Sequence, residues 1–198
     1  MAKDTKERIL AAALDMFSQN GYAGTNIREL TASLGLVKSG LYKHFKSKEE
    51  IWNSLLDKMI AYYDDRFGSP EHLPPVPDSL EGLTAMTMQM VDFTIHDESV
   101  IKTRKLLTIE QFRDERAREL ATKHFLTGLT DMFTRIFTGM MEKGLLRKGD
   151  PAMLAFAYIS PISALIHLCD REPEKTEEAI RQAEAFSRHF IRVYGQED

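Results

Sequence analysis

The chain has 198 residues, of which 43% are hydrophobic and 28% charged, and its formal net charge is −4. This composition is typical of a soluble globular protein with one large domain or two small ones, and it excludes a disordered chain. The single cysteine, Cys169, excludes an intramolecular disulfide and favours a reducing compartment. The N-terminal segment lacks the apolar centre of a signal peptide, so we expect a cytoplasmic protein.

Charge is distributed unevenly along the sequence. Residues 1–50 hold 8 Lys and Arg against 6 Asp and Glu, a balance of +2, whereas residues 51–198 hold 18 against 24, a balance of −6. Between residues 22 and 48, five basic side chains stand against one acidic side chain. A basic N-terminal segment on an acidic chain predicts that this end of the molecule meets an anionic partner.

Helical periodicity dominates the N-terminal quarter. Gly21 and Gly35 are typical of helix ends, and Thr25 is a candidate cap for the helix between them. Ser47 and Glu50 form a capping-box pattern at the start of a longer helix. The predicted helices cover residues 5–20, about 25–34, about 37–45 and 47–66.

The rest of the chain is also predicted to be helical. Residues 68–78 hold four of the seven prolines and are predicted to form a loop. Asp150 and Pro151 form a cap followed by a proline at the first helical position. The predicted class is all-α with about nine helices, and the later helices cover residues 78–96, 99–112, 114–143, 150–169 and 173–194.

One segment, residues 152–169, has no formal charge and is just long enough to be considered as a membrane span. Ser160, Pro161, Ser163 and His167 interrupt its apolar character, and neither flank is strongly basic. We therefore expect a helix that is buried on two sides and kinked at Pro161, and no membrane partner.

The second and third helices, joined by a tight turn at Gly35 and Leu36, have the layout of a helix-turn-helix. Leu41 and Phe45 are positioned to pack on the first helix, which leaves polar and basic side chains outside. In this layout the third helix enters the DNA major groove and the cations contact phosphates. The alternative is a solvated basic face on an ordinary helical domain.

The segment TKERILAAALDMFSQNGYAGTNIRELTASLGLVKSGLYKHFKSKEEIW, residues 5–52, resembles the DNA-binding domain of the tetracycline repressor (TetR) family. The resemblance covers roughly the first quarter of the chain. Val37 departs from the family pattern because a capping Ser often stands there, and Thr31 and Leu34 replace smaller residues. The matching parts are Ile9-Leu10-x-Ala12-Ala13, Phe17, Gly21-Tyr22, Thr25, Gly35, Leu41-Tyr42-x-His44-Phe45 and Ser47-Lys48-Glu49.

The resemblance implies a helix-turn-helix domain over residues 1–47 and a larger helical ligand-binding and dimerisation domain over residues 48–198. It implies that Tyr42 and Lys48 bind phosphates and that Thr25 and Asn26 touch the DNA backbone. Arg28 is expected to reach a base or a phosphate. The residues expected to read the groove are Lys38, Ser39, Gly40, Lys43 and His44.

The last two helices are predicted to form a homodimer. The uncharged helix can face its own domain on one side and a twin on the other, and the family resemblance implies a four-helix bundle with the symmetry mates. The alternative is a monomeric core that holds both helices. The predicted interface residues are Phe156, Ile159, Ile162, Ile166, Ile180, Phe186 and Phe190.

The middle helices carry thioether and aromatic side chains that suit an adaptable apolar pocket, although such residues are more often plain core. Family members commonly sense a small molecule there, so the resemblance implies an unknown small-molecule effector of apolar or amphipathic character. Its binding is expected to shift the spacing of two DNA-binding heads. The candidate pocket residues are Tyr62, Met86, Gln89, Met90, Phe93, Phe125 and Phe133.

The predicted function is that of a ligand-responsive repressor that binds a palindromic double-stranded DNA operator. The sequence lacks GxSxG, HExxH and a phosphate-binding glycine loop, which argues against an enzyme. No cofactor and no metal are predicted. An architectural or recruiting DNA-binding factor without ligand sensing remains the alternative, followed by an all-α enzyme.

Overall fold

The computed structural model describes residues 2–67 and 74–196, and in these ranges the sole β-pairing is an isolated bridge between Leu146 and Gly195. The predicted all-α class is confirmed. A π-helix, Lys123–Thr127, and a 3₁₀ turn, Pro173–Lys175, accompany the α-helices. These are α1 Ala2–Gly24, α2 Ile27–Ser33, α3 Lys38–Leu41, α4 Lys48–Phe67, α5 Leu80–His96, α6 Glu98–Glu110, α7 Glu115–Thr122, α8 Gly128–Glu142, α9 Pro151–Arg171 and α10 Thr176–Tyr194.

The described chain forms two compact units. The first unit comprises residues 2–67 and 102–121, and the second comprises residues 74–101 and 122–196. The helix α6 therefore contributes its first turn to the second unit and the remainder to the first. The functional division predicted at residues 47 and 48 stays a prediction.

In the first unit, α1 packs against α2 and α4, and α2 packs against α3. The buried side chains recur at helical spacing, as the sequence pattern predicted. They include Ile9, Leu10, Phe17, Leu30, Leu41, Phe45, Ile51, Leu55 and Leu56.

The helix α1 is broken near its C-terminal end at Gly21, where φ is 71° and ψ is 170°. The carboxylate of Glu110 accepts a hydrogen bond from the amide of Tyr22 at 2.8 Å. The hydroxyl of Thr25 donates to the carbonyl of Gly21 at 3.0 Å. Gly21 thus ends the first helical segment as predicted, because only glycine adopts this backbone conformation without strain.

The cap predicted at Ser47 is present. Ser47 accepts a hydrogen bond from the amide of Glu50 at 3.0 Å, while the Glu50 carboxylate accepts from the amide of Lys46 instead of that of Ser47. Ser79 caps α5 by accepting from Gly82 at 2.9 Å. Of the predicted proline-rich loop, residues 74–79 are irregular, whereas residues 68–73 lie outside the described ranges.

The helix predicted over residues 114–143 is interrupted by the π-helix, which separates α7 from α8. At this point the amide of Gly128 donates to the carbonyl of Lys123, five residues earlier. A Cβ on residue 128 would lie 2.8 Å from that carbonyl oxygen. Counted as one interrupted helix, α7 to α8 brings the described helices to the nine that were predicted.

In the second unit, α9 packs against α8 and α10, and α10 packs against α5. The core centres on the Tyr158 ring, which lies 4.6 Å from the Phe190 ring and 5.3 Å from the Phe133 ring between centroids. The Tyr158 hydroxyl is bonded to Thr87 at 2.8 Å and to Ser187 at 2.7 Å. Interior hydroxyls thus satisfy one another across three helices.

The uncharged helix α9 is capped as predicted, because Asp150 accepts hydrogen bonds from the amides of Ala152 and Met153. Pro161 lies inside α9 without ending it. By length and composition α9 could cross a membrane, as core helices of soluble proteins also can, and it is the one such helix in the described part. One face of α9 is buried in the second unit, whereas Met153 and Phe156 are exposed.

Candidate nucleic-acid interface

The entry into α2 places two polar side chains on the surface. Asn26, not Thr25, is the N-cap, and its side chain accepts a hydrogen bond from the amide of Arg28 at 2.8 Å. Asn26 and Arg28 are exposed. Thr25 is only 3% exposed, because its hydroxyl turns inward to Gly21, so the predicted cap was one residue too early. The contact of Thr25 with the DNA backbone stays a prediction.

The turn between α2 and α3 is built by the backbone. Gly35 has φ 65°, the left-handed conformation that favours glycine. The amide of Leu36 donates to the carbonyl of Thr31 at 2.8 Å, and the Thr31 hydroxyl donates to the carbonyl of Ile27 at 3.0 Å. The departure at Thr31 is therefore accommodated by a local hydrogen bond in a buried position.

The helix α3 has four residues, which is shorter than the predicted span of about 37–45. Residues 42–44 form a turn instead, and Leu41 and Phe45 anchor both ends of that turn in the core. Val37 occupies the N-cap position and makes no side-chain capping bond, as its departure from the family pattern predicted. Two buried apolar anchors, rather than helix length, hold this surface in place.

Most of the predicted groove-facing side chains are presented to solvent. Lys38, Ser39 and Lys43 are exposed and Tyr42 is 46% exposed, while Gly40 and His44 are half-buried. Exposed cations beside a polar hydroxyl and a phenol can bind phosphate oxygens and base edges. The structure therefore brings six of the predicted residues onto one short element and the turn after it.

Lys48 has a different setting. Its ammonium lies 4.4 Å from the centroid of the Tyr22 ring and 5.9 Å from that of Phe17. Burial lowers the pKa of Lys48, and the nearby Glu110 carboxylate raises it. The side chain thus rests on aromatic faces at the start of α4. Its contact with a phosphate stays a prediction.

Several residues that support this surface were missed by sequence reasoning. The indole of Trp52 donates to the Asp114 carboxylate at 3.3 Å, and Glu110 binds the Tyr22 amide. Burial raises the pKa of Tyr22, and the charges of Glu49 and Asp114 add to this. Glu110 and Asp114 lie far along the chain from the helix-turn-helix, so no local pattern signals these contacts.

The predicted pocket residues are divided between the units. Tyr62 belongs to the first unit and the other six belong to the second. Phe133 is buried in the ring cluster around Tyr158, Phe125 lies 5.0 Å from the His167 ring, and Gln89 is exposed. A pocket of the second unit lies elsewhere and is lined by Pro74, Val76, Met132, Arg135, Ile136, Thr138, Gly139 and Glu142.

The predicted interface residues also differ in exposure. Ile159, Ile162 and Phe190 are buried within the second unit and serve its own core. Phe156 is 48% exposed. Exposed Met153 precedes it by one helical turn, and Val193 is exposed on α10. The remaining predicted residues, Ile166, Ile180 and Phe186, are half-buried.

An all-helical fold with a surface-exposed basic helix-turn-helix is typical of a DNA-binding regulator of transcription. Residues 9–55 match the model of the bacterial regulatory proteins of the tetR family. The segment that carries the helix-turn-helix is thus a DNA-binding domain of the TetR family.

Similar proteins agree with this assignment. The transcriptional regulator AcrR of Shigella flexneri is 33% identical over 61% of this chain and 54% of that protein. IcaR of Staphylococcus epidermidis, a negative transcriptional regulator of the biofilm operon icaADBC, is 24% identical over 48% of this chain and 67% of that protein. The chain thus spans about half to two-thirds of the length of these curated relatives.

Likeness of fold extends over the whole chain. The structure of SmeT with triclosan superposes with a TM-score of 0.73 and 21% identity, over 98% of this chain and 93% of that chain. SmeT is the repressor of the Stenotrophomonas maltophilia multidrug efflux pump SmeDEF. At this identity the likeness shows a shared fold.

Proposed function

We propose that this protein is a homodimeric transcriptional repressor that binds a palindromic operator and is released by a small apolar or amphipathic ligand. The observation that carries the proposal is the exposed set on α3 and its following turn, Lys38, Ser39, Tyr42 and Lys43, held by buried Leu41 and Phe45. Such a surface presents phosphate-binding cations and groove-reading groups on one short element that is packed onto the core. The predicted DNA contacts of Asn26, Arg28 and Lys48 flank it in sequence.

Dimerisation is supported by the exposed apolar surface of the last two helices. Met153 and Phe156 lie one turn apart on α9, and they are 63% and 48% exposed. A dimer carries two helix-turn-helix units related by two-fold symmetry, which matches the symmetry of an inverted repeat in DNA. The dimer should therefore bury Phe156 against its symmetry mate.

Repression and ligand release are supported by the similar proteins. IcaR is a negative regulator, SmeT is a repressor, and SmeT forms a complex with triclosan, an apolar small molecule. In this chain, Met86, Met88 and Met90 of α5 are partly buried around the core of the second unit. Flexible thioethers can adapt to such a ligand. The ligand site is proposed near these side chains and Phe125.

Two helices support a route for the signal along the chain. The helix α4 follows the helix-turn-helix directly, and α6 begins in the second unit and ends in the first. At the end of α6, Glu110 binds the Tyr22 amide beside the break in α1. A ligand that displaces the start of α6 would therefore act on the helix-turn-helix through Glu110. Coupling of about 1–3 kcal/mol would weaken operator binding about 5- to 150-fold.

Selection from random duplex DNA tests the DNA-binding part. We expect an inverted repeat bound with nanomolar affinity and a steep fall of affinity with salt. Lys48→Gln should reduce the salt slope by about one for each lost phosphate contact, because Lys48 is expected to bind a phosphate. Lys148→Gln, which removes an exposed charge from the second unit, is the matched control and should leave the slope unchanged. Failure to enrich any sequence would overturn the proposal.

The ligand part has a separate test. Operator affinity is measured with and without triclosan and a panel of apolar amines, phenols and fatty acids. At least one compound should weaken binding by 5-fold or more and raise the melting temperature of the DNA-free protein. If none changes operator affinity, the protein is a DNA-bound factor without ligand sensing.

A further inference from the structure

We propose that Val37 and Gly40 form a methyl-sized notch on α3 that reads the C5-methyl group of a thymine in each operator half-site. The inference rests on the proposed operator binding and deepens it, because it names two specificity-determining residues and the chemical group that they recognise. It follows from the surroundings of these two positions rather than from charge.

Val37 is an apolar side chain that contributes little to the core or to helix capping. It is 70% exposed, and it stands at the N-cap of α3 without a capping hydrogen bond. A serine at this position would stabilise a short helix by about 1 kcal/mol. With valine at this position, α3 lacks the stabilisation that a side-chain cap would give, and the valine methyl groups are exposed to water.

Gly40 is not required by the backbone of α3. Its φ is not positive, since the described glycines with positive φ are Gly21, Gly35 and Gly144. A Cβ at this position would lie 3.9 Å from the Leu36 Cδ2 and 3.9 Å from the Val37 Cγ2, which are ordinary van der Waals distances. Alanine would fit and would favour the helix by about 1 kcal/mol. Neither strain nor crowding accounts for the glycine.

The missing side chain leaves a small apolar depression. Its floor is the Gly40 backbone, and its walls are the Leu36 and Val37 side chains. The Leu36 Cδ2 and the Val37 Cγ2 each lie 3.9 Å from the position that a Cβ on Gly40 would occupy. A methyl group placed there would touch both walls.

The charges around the notch select its occupant. Lys38 and Lys43 are exposed on the same short helix and turn, so an anionic partner is favoured over a neutral apolar one. In the major groove, the thymine C5-methyl is the apolar group that a base pair presents. A cation-flanked methyl notch on an element that enters the groove is thus complementary to thymine.

The test uses the full-length protein and the operator obtained by selection. Each thymine is replaced singly by deoxyuridine, which removes only the C5-methyl group, and affinity is measured by fluorescence anisotropy. We expect one thymine in each half-site whose replacement weakens binding about fourfold, the effect of one buried methyl group. The other thymines should tolerate replacement.

Variants assign the effect to the notch. Val37→Ala should weaken binding to the thymine operator about fourfold for each half-site and abolish its discrimination from the deoxyuridine operator. Gly40→Ala fills the notch and should equalise or invert the preference. Phe112→Ala, which removes an exposed apolar side chain of the first unit away from α3, is the control and should discriminate like the wild type. Equal unfolding midpoints for Val37→Ala and the wild type separate recognition from stability.

The outcomes distinguish the two proposals. If no operator is selected, both the proposed function and the notch proposal are overturned. If an operator is bound tightly but no thymine is sensitive to deoxyuridine, the protein reads DNA and the notch proposal is overturned. Undiminished discrimination by Val37→Ala would overturn it equally.

Discussion

At the scale of single residues, the backbone of α1 depends on Gly21. This residue adopts a conformation that other residues reach only under strain, and the Glu110 carboxylate fills the space where a side chain would stand. The arrangement fixes the amide of Tyr22 and with it the aromatic cluster of Phe17, Tyr22 and Trp52. Gly21 therefore ends the helix and also leaves room for the carboxylate of Glu110, which is distant in sequence.

We predict that Gly21→Ala destabilises the protein by about 2 kcal/mol or more. The alanine backbone would have to adopt φ near 71°, and its Cβ would lie 2.6 Å from the Glu110 Oε1. Urea unfolding followed by circular dichroism measures the effect. Gly24→Ala is the matched control, because its Cβ would lie 3.4 Å from the Asn20 Cβ, and it should be neutral or slightly stabilising. Equal losses from both variants would contradict the role of Gly21.

A second prediction concerns the buried hydroxyl of Tyr158. Tyr158→Phe should cost about 1 kcal/mol, since the Thr87 and Ser187 hydroxyls each lose one partner and keep another. Burial raises the pKa of Tyr158 above 10.0, against an opposing effect of its hydroxyl partners. The proton is thus held more tightly in the folded state, so stability present below pH 10 is lost as the pH rises towards the folded-state pKa.

The measurement is the unfolding free energy between pH 8 and pH 11. The wild type should lose stability in the upper part of this range, and Tyr158→Phe should lose less. Tyr42→Phe removes an exposed hydroxyl and serves as the control. A fall of the same size in Tyr158→Phe and the wild type would show that Tyr158 does not contribute.

At the scale of elements, α3 is marginal as a helix and depends on its anchors. It has four residues and no side-chain cap, yet Leu41 and Phe45 are fully buried at its C-terminal side. Tertiary packing therefore determines where this element lies, and local propensity contributes little.

We predict that Val37→Ser stabilises the protein by about 1 kcal/mol by capping α3. The unfolding midpoint should rise, and amide exchange at Gly40 and Leu41 should slow, since both amides already donate to the Val37 carbonyl. Val37→Ala, which adds no cap, is the comparison and should leave exchange unchanged. An unaltered midpoint in Val37→Ser would mean that the helix end is already satisfied in another way.

At the scale of the whole molecule, the proposed dimer accounts for the exposed apolar side chains of α9. We predict that Phe156→Glu yields a folded monomer in sedimentation equilibrium and weakens operator binding, because a carboxylate would be buried at the two-fold interface. Phe112→Glu is the matched control, since Phe112 is 87% exposed and lies in the first unit. A Phe156→Glu protein that remains dimeric would contradict the proposed interface.

Local patterns in the sequence were enough to predict the all-α class, the glycine ends at Gly21 and Gly35, the caps at Ser47 and Asp150, and the helix-turn-helix surface. These features are local, because capping residues and helical periodicity act within a few positions of the chain. For the same reason, the exposed face of α3 followed once Leu41 and Phe45 were assigned to the core.

The remaining features depend on the tertiary structure. It brought Glu110 and Asp114 to Tyr22 and Trp52, turned Thr25 inward, shortened α3 and interrupted the helix after Thr122. It also placed several predicted interface and pocket side chains in the core of the second unit. Apolar residues at helical spacing have the same pattern whether they face their own core, a ligand or a twin, so contacts between distant segments are needed to separate these roles.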